Sequence, residues 1–405
     1  MNIKSYAVVT ASYWGFTLTD GALRMLVLLH FHTLGFSPIN LAFLFLLYEF
    51  CGVLTNLLGG WIGSRVGLRF TLYVGLGLQI LALLMLSLVN PTWATALSVS
   101  YVMTSQALSG IAKDLTKMSS KSAVKLLVNG GEGALFKWVA ILTGSKNALK
   151  GVGFLLGGVL LTWLGFVHAL WLMAGCLGLV LVAALALLRQ DMGKTKAKVK
   201  FTQLFSKSRE INWLSAARFC LFASRDIWFV VALPVFLKAQ LGWSFNQVGS
   251  FMAAWVVGYG IVQASAPKLI AHHSPARGAL RWVILLSVVT VALAAAITME
   301  FHPVASIFVG LAAFGIIFAI NSAVHSYLIL AFTSNDQVAL NVGFYYMANA
   351  WGRLVGTLLS GLMFLVGELS ACLWTSAGFL LAALLLTIPL CVAESRALPK
   401  TNASH

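Results

Sequence analysis

The sequence predicts an all-α polytopic membrane protein, with twelve transmembrane helices in two pseudo-symmetric six-helix bundles. Three observations predict it. Apolar windows of roughly 20 residues, enough to cross about 30 Å of hydrocarbon, recur along the whole chain. One long basic linker divides them six and six, and short stretches repeat between the two halves. Composition agrees: 60% of the 405 residues are hydrophobic and 9% charged, with mean hydropathy +0.91. A soluble domain of that composition would lack a polar skin.

In order, hydropathy places spans at 6–32, 39–63, 70–89, 93–112, 134–165 and 167–188. Residues 1–188 are therefore expected to form the first bundle. The stretch "RQDMGKTKAKVKFTQLFSKSRE" opens a basic cytoplasmic linker, 189–211. Spans resume at 212–237, 246–270, 281–299, 304–331, 338–366 and 370–392, giving a second bundle over 212–392 and a cytoplasmic tail over 393–405.

The net charge of +16 lies mostly in alternate loops: Lys4, Arg65 and Arg69, Lys113 to Lys125, Arg189 to Arg209, Lys268, Arg277, Arg281, Arg396 and Lys400. The intervening loops, such as "LGFSPIN" and "NPTW", are nearly uncharged. This positive-inside bias places both termini in the cytoplasm and makes nucleic-acid binding unnecessary as an explanation. The first span follows "MNIKSY" directly and has no small-residue cleavage pattern, so a retained helix is expected. Cys51, Cys176, Cys220, Cys372 and Cys391 fall within spans without close spacing and read as small core residues, with no metal site expected.

The halves echo each other. "FTLTDGALR" (16–24) and "FASRDIWFV" (222–230) share Phe-x-x-x-Asp midway along the first span of each half. "KGVGFLLGG" (150–158) aligns without gaps to "RLVGTLLSG" (353–361) in the fifth spans. Duplicated six-helix halves with a midplane site between them are the pattern of a secondary transporter. Gly153, Gly157 and Gly158, matched by Gly356 and Gly361, supply small faces for close helix approach.

Ionisable residues inside spans are functional candidates by default. They are Asp20, Arg24, Glu49, Lys146, Lys150, Arg218, Arg225, Asp226 and Arg353, six basic against three acidic. Three cations remain even if every acid is paired, and a water-filled cavity of that sign recruits anions. Lys150 and Arg353 match between the halves and are expected to face each other, Arg as a bidentate fork and Lys as a point charge. Lys146 lies one turn from Lys150, and Asn147 and Asn349 add neutral hydrogen-bonding groups. Arg24 and Arg225 complete the candidate substrate-binding set.

Asp20, Glu49 and Asp226 are the candidate proton-coupling or gating acids. Alternatives stand beside these roles. Asp20 and Arg24, four apart, can neutralise each other, and Glu49 can be a protonated, hydrogen-bonded carboxyl. Arg225 and Asp226, adjacent in sequence, are expected to point apart. Arg218 ranks below the others because it can snorkel to the interface. Lys113, Lys117, Lys121 and Lys125 read as a basic stripe beside lipid headgroups, or as a gathering point for anions at the cytoplasmic mouth. His325 is the histidine to watch, although a satisfied core histidine is the plainer expectation. "MGKT" (192–195) lacks the first glycine of a phosphate-binding loop, and HExxH is absent, so no enzyme activity and no cofactor are expected.

The chain resembles the major facilitator superfamily across all twelve spans. Its signature loop between spans two and three, G-x-L-A-D-R-x-G-R-R, appears here as "GWIGSRVGLR", keeping Gly60, Arg65, Gly67 and Arg69, with Ser64 in place of the usual Asp. Within that group, "LYEFCGVLTNLLGGWIGSRVGLR" (47–69), "QALSGIAKDLTKMSSKSAVKLL" (106–127) and "LFKWVAILTGSKNALKGVGFLLGG" (135–158) resemble the ArsJ-type organoarsenical efflux permeases. That resemblance implies an inner-membrane permease partnered with glyceraldehyde-3-phosphate dehydrogenase. The dehydrogenase would use arsenate to make 1-arseno-3-phosphoglycerate, which the permease exports, giving arsenate resistance. Proton influx is the expected driving force. The other reading is an organophosphate/phosphate or sugar-phosphate exchanger of the same fold.

Overall fold

The computed structural model describes residues 3–66, 68–127, 132–188, 208–269, 275–332 and 338–397, which are helical almost throughout and contain no strand. In chain order the helices are α1 (Ile3–Thr33), α2 (Pro38–Val66), α3 (Leu68–Ser87), α4 (Thr95–Leu127), α5 (Glu132–Leu187), α6 (Arg209–Phe229), α7 (Ala232–Ala239), α8 (Phe245–Leu269), α9 (Pro275–Thr298), α10 (Pro303–Ala331) and α11 (Val338–Ala397). Among the described residues, eight helical segments are long and apolar enough to cross a membrane by length and composition.

Two of those segments contain two spans each. Gly165, at φ 71°, breaks α5, and Gly367 with Glu368, the latter at φ 54°, breaks α11. Both breaks fall where the hydropathy reading ends one span and begins the next. Conversely, α6 and α7 form one span, Arg209–Ala239, interrupted at Val230 and Val231. Pro234 accounts for the interruption: it has no N–H and its ring excludes the carbonyl four residues back. The amides of Val231 and Ala232 donate instead to the Ser360 hydroxyl, at 3.2 and 3.1 Å. Counting α1 and α4, which carry several charges, the described helices supply twelve spans.

The fourth span differs from its expected end at residue 112. α4 runs on to Leu127, because hydropathy stops there while helix propensity does not. "KDLTKMSSKSAVK" contains no Pro or Gly, and Asp114 pairs with Lys117 one turn later at 2.6 Å.

Matched glycines do matched jobs in the two halves. An added Cβ on Gly153 would come within 2.6 Å of the Leu18 carbonyl on α1, and one on Gly356 within 2.8 Å of the Ala223 carbonyl on α6. These two seat each fifth span against the first span of its own half. Gly158 and Gly361 act across the halves instead. A Cβ on Gly158 would meet the Phe245 carbonyl of α8, and one on Gly361 the Pro38 carbonyl of α2, each at 2.6 Å. Without a hydrophobic drive between helices in lipid, such close backbone approach supplies dispersion contacts that bulkier residues would forbid.

Candidate functional site

A cavity of about 260 Å³ lies between the halves. It is lined from the middle of each span toward the end where α2, α4, α8 and α10 finish and α5, α6 and α11 begin. Every element around it presents a charge or a polar group because spacing of three or four residues returns side chains to one helix face. α1 contributes Tyr13, Thr17, Asp20 and Arg24, for example, and α6 contributes Arg218, Phe222, Arg225 and Phe229.

Arg24, Lys113, Lys117, Lys146, Lys150, Arg218, Arg225 and Arg353 line the cavity against only Asp20, Glu49, Asp114 and Asp226. Four positive charges are thus in excess. The predicted binding set, Arg24, Lys146, Asn147, Lys150, Arg225, Asn349 and Arg353, and the predicted acids, Asp20, Glu49 and Asp226, all reach this one cavity.

Their pairing departs from the sequence reading. Asp20 and Arg24 do not neutralise each other. Arg24 donates from Nη2 to Glu49 Oε1 at 2.7 Å, while Asp20 Oδ1 accepts from the Tyr48 hydroxyl at 2.6 Å. Glu49, 1% exposed, is not held by neutral donors. It is a hub for three cations, with Arg353 Nη2 at 2.5 Å and Lys113 Nζ at 4.0 Å beside Arg24. Arg225 and Asp226 do pair: the arginine folds back along its helix, and Nε donates to Asp226 Oδ1 at 2.6 Å. Asp226 Oδ2 also accepts from Arg353 Nε at 3.3 Å. A continuous lattice, Arg24–Glu49–Arg353–Asp226–Arg225, therefore crosses from one half to the other.

Lys150 and Arg353 share the cavity but not the same electrostatic circumstances. Two carboxylates hold Arg353. Lys150 has no carboxylate within 4.0 Å among the described residues, and its Nζ lies 5.8 Å from the Phe154 ring centroid. Asn147, on the same helix, donates to Gln263 Oε1 of α8 at 3.0 Å.

Arg218 does not snorkel. It is 4% exposed and held inside the second half, where Nε donates to Asn349 Oδ1 at 2.9 Å and Nη1 to the Ser322 hydroxyl at 3.0 Å. Its guanidinium lies 4.0 Å from the Phe222 ring centroid.

Lys113 and Lys117 lie in the cavity wall and not on a lipid-facing stripe, because α4 continues into the bundle. Lys113 Nζ sits 4.0 Å from the Tyr48 ring centroid, and Lys117 donates to Asn56 Oδ1 at 2.7 Å. The side chains of Lys121 and Lys125 are outside the described residues. Asp114 was missed in the sequence. A carboxylate three residues before Lys117 was the available signal, masked by reading the stretch as a loop. Tyr48, Tyr259, Gln263 and Ser322 were missed as well, since neutral polar residues in a span carry no sequence signal of their own.

His325 is buried behind the wall, with neither ring nitrogen hydrogen-bonded among the described residues, unlike the satisfied core histidine expected. In the signature loop, Arg69 donates to the Leu188 carbonyl at 3.2 Å. Gly67 and the side-chain surroundings of Gly60 and Arg65 lie outside the described residues, as does linker 189–207.

Two solved structures share this architecture. A bacterial homologue of the iron transporter ferroportin in an inward-facing state superposes with a TM-score of 0.73 at 15% identity, covering 96% of this chain and 99% of that one. A bacterial ferroportin homologue in an outward-facing state gives 0.71, again at 15% identity and covering 96% of this chain and 99% of that one. At that identity the likeness concerns the fold alone. No curated protein sequence matches the chain. The sequence profile of the Major Facilitator Superfamily matches twice, over residues 6–216 and 214–404. The chain is a multi-pass membrane transporter that belongs to the Major Facilitator Superfamily.

Proposed function

We propose that this transporter exports a small organic anion bearing two anionic ends, namely 1-arseno-3-phosphoglycerate, by alternating access across the inner membrane, with both termini cytoplasmic. The observation that carries the proposal is the cavity wall, eight basic groups against four carboxylates. A surplus of that size in a site of low dielectric concentrates anions and repels cations. The resemblance of residues 47–69, 106–127 and 135–158 to organoarsenical permeases narrows the anion and brings in glyceraldehyde-3-phosphate dehydrogenase as functional partner. The domain division at linker 189–211 belongs to the same reading, as does proton coupling through Asp20, Glu49 and Asp226.

A cation cargo such as the iron carried by ferroportin, whose bacterial homologue shares this fold, fits this wall poorly. Among the described residues no group of three or more His, Cys, Asp or Glu could hold a metal ion. Trivalent arsenite is a poor fit too, being neutral and thiol-seeking, whereas no cysteine is among the described residues that line this cavity. The same charge surplus also suits an organophosphate/phosphate exchanger, which counterflow with phosphate and glycerol 3-phosphate would reveal.

The test is growth on arsenate or arsenite of sensitive cells expressing the chain with and without the dehydrogenase. Protection against arsenate alone, requiring both proteins, is the expected result. Protection without the dehydrogenase, or none against arsenate, overturns the cargo assignment.

A further inference from the structure

Of the cavity's arginines, Arg24, Arg225 and Arg353 are each held by a carboxylate. Arg218 alone is held only by neutral groups among the described residues: Asn349 Oδ1 and the Ser322 carbonyl and hydroxyl. Its Nη2 makes no hydrogen bond among the described residues. A guanidinium has five N–H donors and cannot lose its charge in a protein, so this buried cation needs an anion from elsewhere.

The surroundings of Arg218 supply more donors than acceptors. Three donors converge on the Ser322 hydroxyl oxygen, which has two lone pairs. Arg218 Nη1 takes it at 3.0 Å, while the Tyr259 hydroxyl and Gln263 Nε2 stand at the limit of 3.5 Å. Tyr259 and Gln263 are thus weakly committed and line the same cavity. Phe222 and Tyr345, 4.0 and 5.1 Å from the guanidinium, hold it in orientation. Gln263 also accepts from Asn147 at 3.0 Å, one turn before Lys150 on α5. A chain of neutral groups therefore joins the Arg218 region to the helix that carries Lys150, which has no carboxylate within 4.0 Å among the described residues.

We propose that Lys150 and Arg218 are the two poles of the substrate site, one in each half, and that Arg218 with Tyr259 and Gln263 receives the second oxyanion of a doubly anionic cargo. The Lys150 pole takes the phosphate as a point charge. The Arg218 fork takes the acyl arsenate, or a carboxylate in its place. Arg353, the match of Lys150 by internal repeat, belongs to the ion-pair lattice. This inference rests on the anion-export reading and deepens it, naming what distinguishes one-headed from two-headed anions.

The experiment is equilibrium binding to the purified full chain in detergent, with 3-phosphoglycerate (two anionic ends) and glycerol 3-phosphate (one) as probes. Wild type should favour 3-phosphoglycerate by roughly tenfold or more, the scale of one charge-assisted contact. Arg218→Gln should weaken 3-phosphoglycerate by about tenfold but glycerol 3-phosphate by less than about threefold, with Arg218→Lys intermediate. Lys150→Gln should weaken both probes. Monodisperse gel filtration of each variant separates loss of binding from loss of fold; should Arg218→Gln fail it, Tyr259→Phe and Arg218→Lys are read by the same ratio. An unchanged ratio in these variants, or a wild type that does not discriminate, overturns the two-pole site alone. A wild type that binds neither probe overturns the anion reading with it.

Discussion

Glu49 and Arg353 are joined by a 2.5 Å hydrogen bond that crosses between the two halves, linking residues 304 apart in the chain. The same Glu49 oxygen accepts from Arg24, so among the described residues one carboxylate carries the ion pair between bundles. Removing one member of a buried ion pair strands its partners, typically at a cost of about 3–5 kcal/mol. Glu49→Gln should therefore lower the melting temperature of the purified protein markedly, and Glu49→Gln with Arg353→Gln should recover part of it. Additive losses in that double-mutant cycle would show that the pair is not coupled.

Lys150→Ala should abolish export while leaving membrane insertion intact, because no carboxylate among the described residues lies within salt-bridge distance of Lys150. Arg353→Ala should also abolish export, but with a loss of thermal stability that Lys150→Ala does not share, since it exposes Glu49 and Asp226 to imbalance. Measuring transport in vesicles alongside melting curves separates the two. Full transport by Lys150→Ala would remove that residue from the site, and full transport by Arg353→Ala would show that transport does not need the lattice.

Gly158 and Gly361 each make a close backbone contact between halves, so Gly158→Val and Gly361→Val should force the helices apart at the end bearing the 34–37 and 240–244 turns. Reactivity of an introduced cysteine near Phe245 or Pro38 toward a membrane-impermeant thiol reagent should rise, and transport should fall. Gly356→Val, which clashes within one half, should instead reduce folded yield. Equal behaviour of the three would contradict this division.

Asp20 accepts from the Tyr48 hydroxyl at 2.6 Å and takes no arginine at salt-bridge distance among the described residues, which leaves it the acid least tied into the lattice. If protons drive export, Asp20→Asn should make vesicle transport insensitive to an imposed pH gradient while substrate binding persists. Transport that still follows the gradient would move the coupling role to Glu49 or Asp226.

Spans were legible in the sequence because lipid imposes a length and a hydropathy that each segment must satisfy by itself. The breaks at Gly165 and Gly367 and the echo of "KGVGFLLGG" in "RLVGTLLSG" were visible for the same reason: they are local or repeated. α4 was read too short because hydropathy was taken as the limit of helix, and Asp114, Lys113 and Lys117 were placed outside the bundle with it.

The pairing of charges was decided by tertiary structure alone. Sequence showed which ionisable residues lie in spans and that bases outnumber acids, hence the sign of the cavity. It could not show that Glu49 takes Arg24 and Arg353, that Arg225 folds onto Asp226, or that Arg218 is left with Asn349 and Ser322. Those outcomes depend on which side chains meet within about 4 Å once the helices are packed, within a half or between halves, where Coulomb energies change by kilocalories over single ångströms. Internal symmetry made Lys150 and Arg353 look equivalent. The carboxylates of α2 and α6 make Arg353 a strut, while Lys150 has none within 4.0 Å among the described residues.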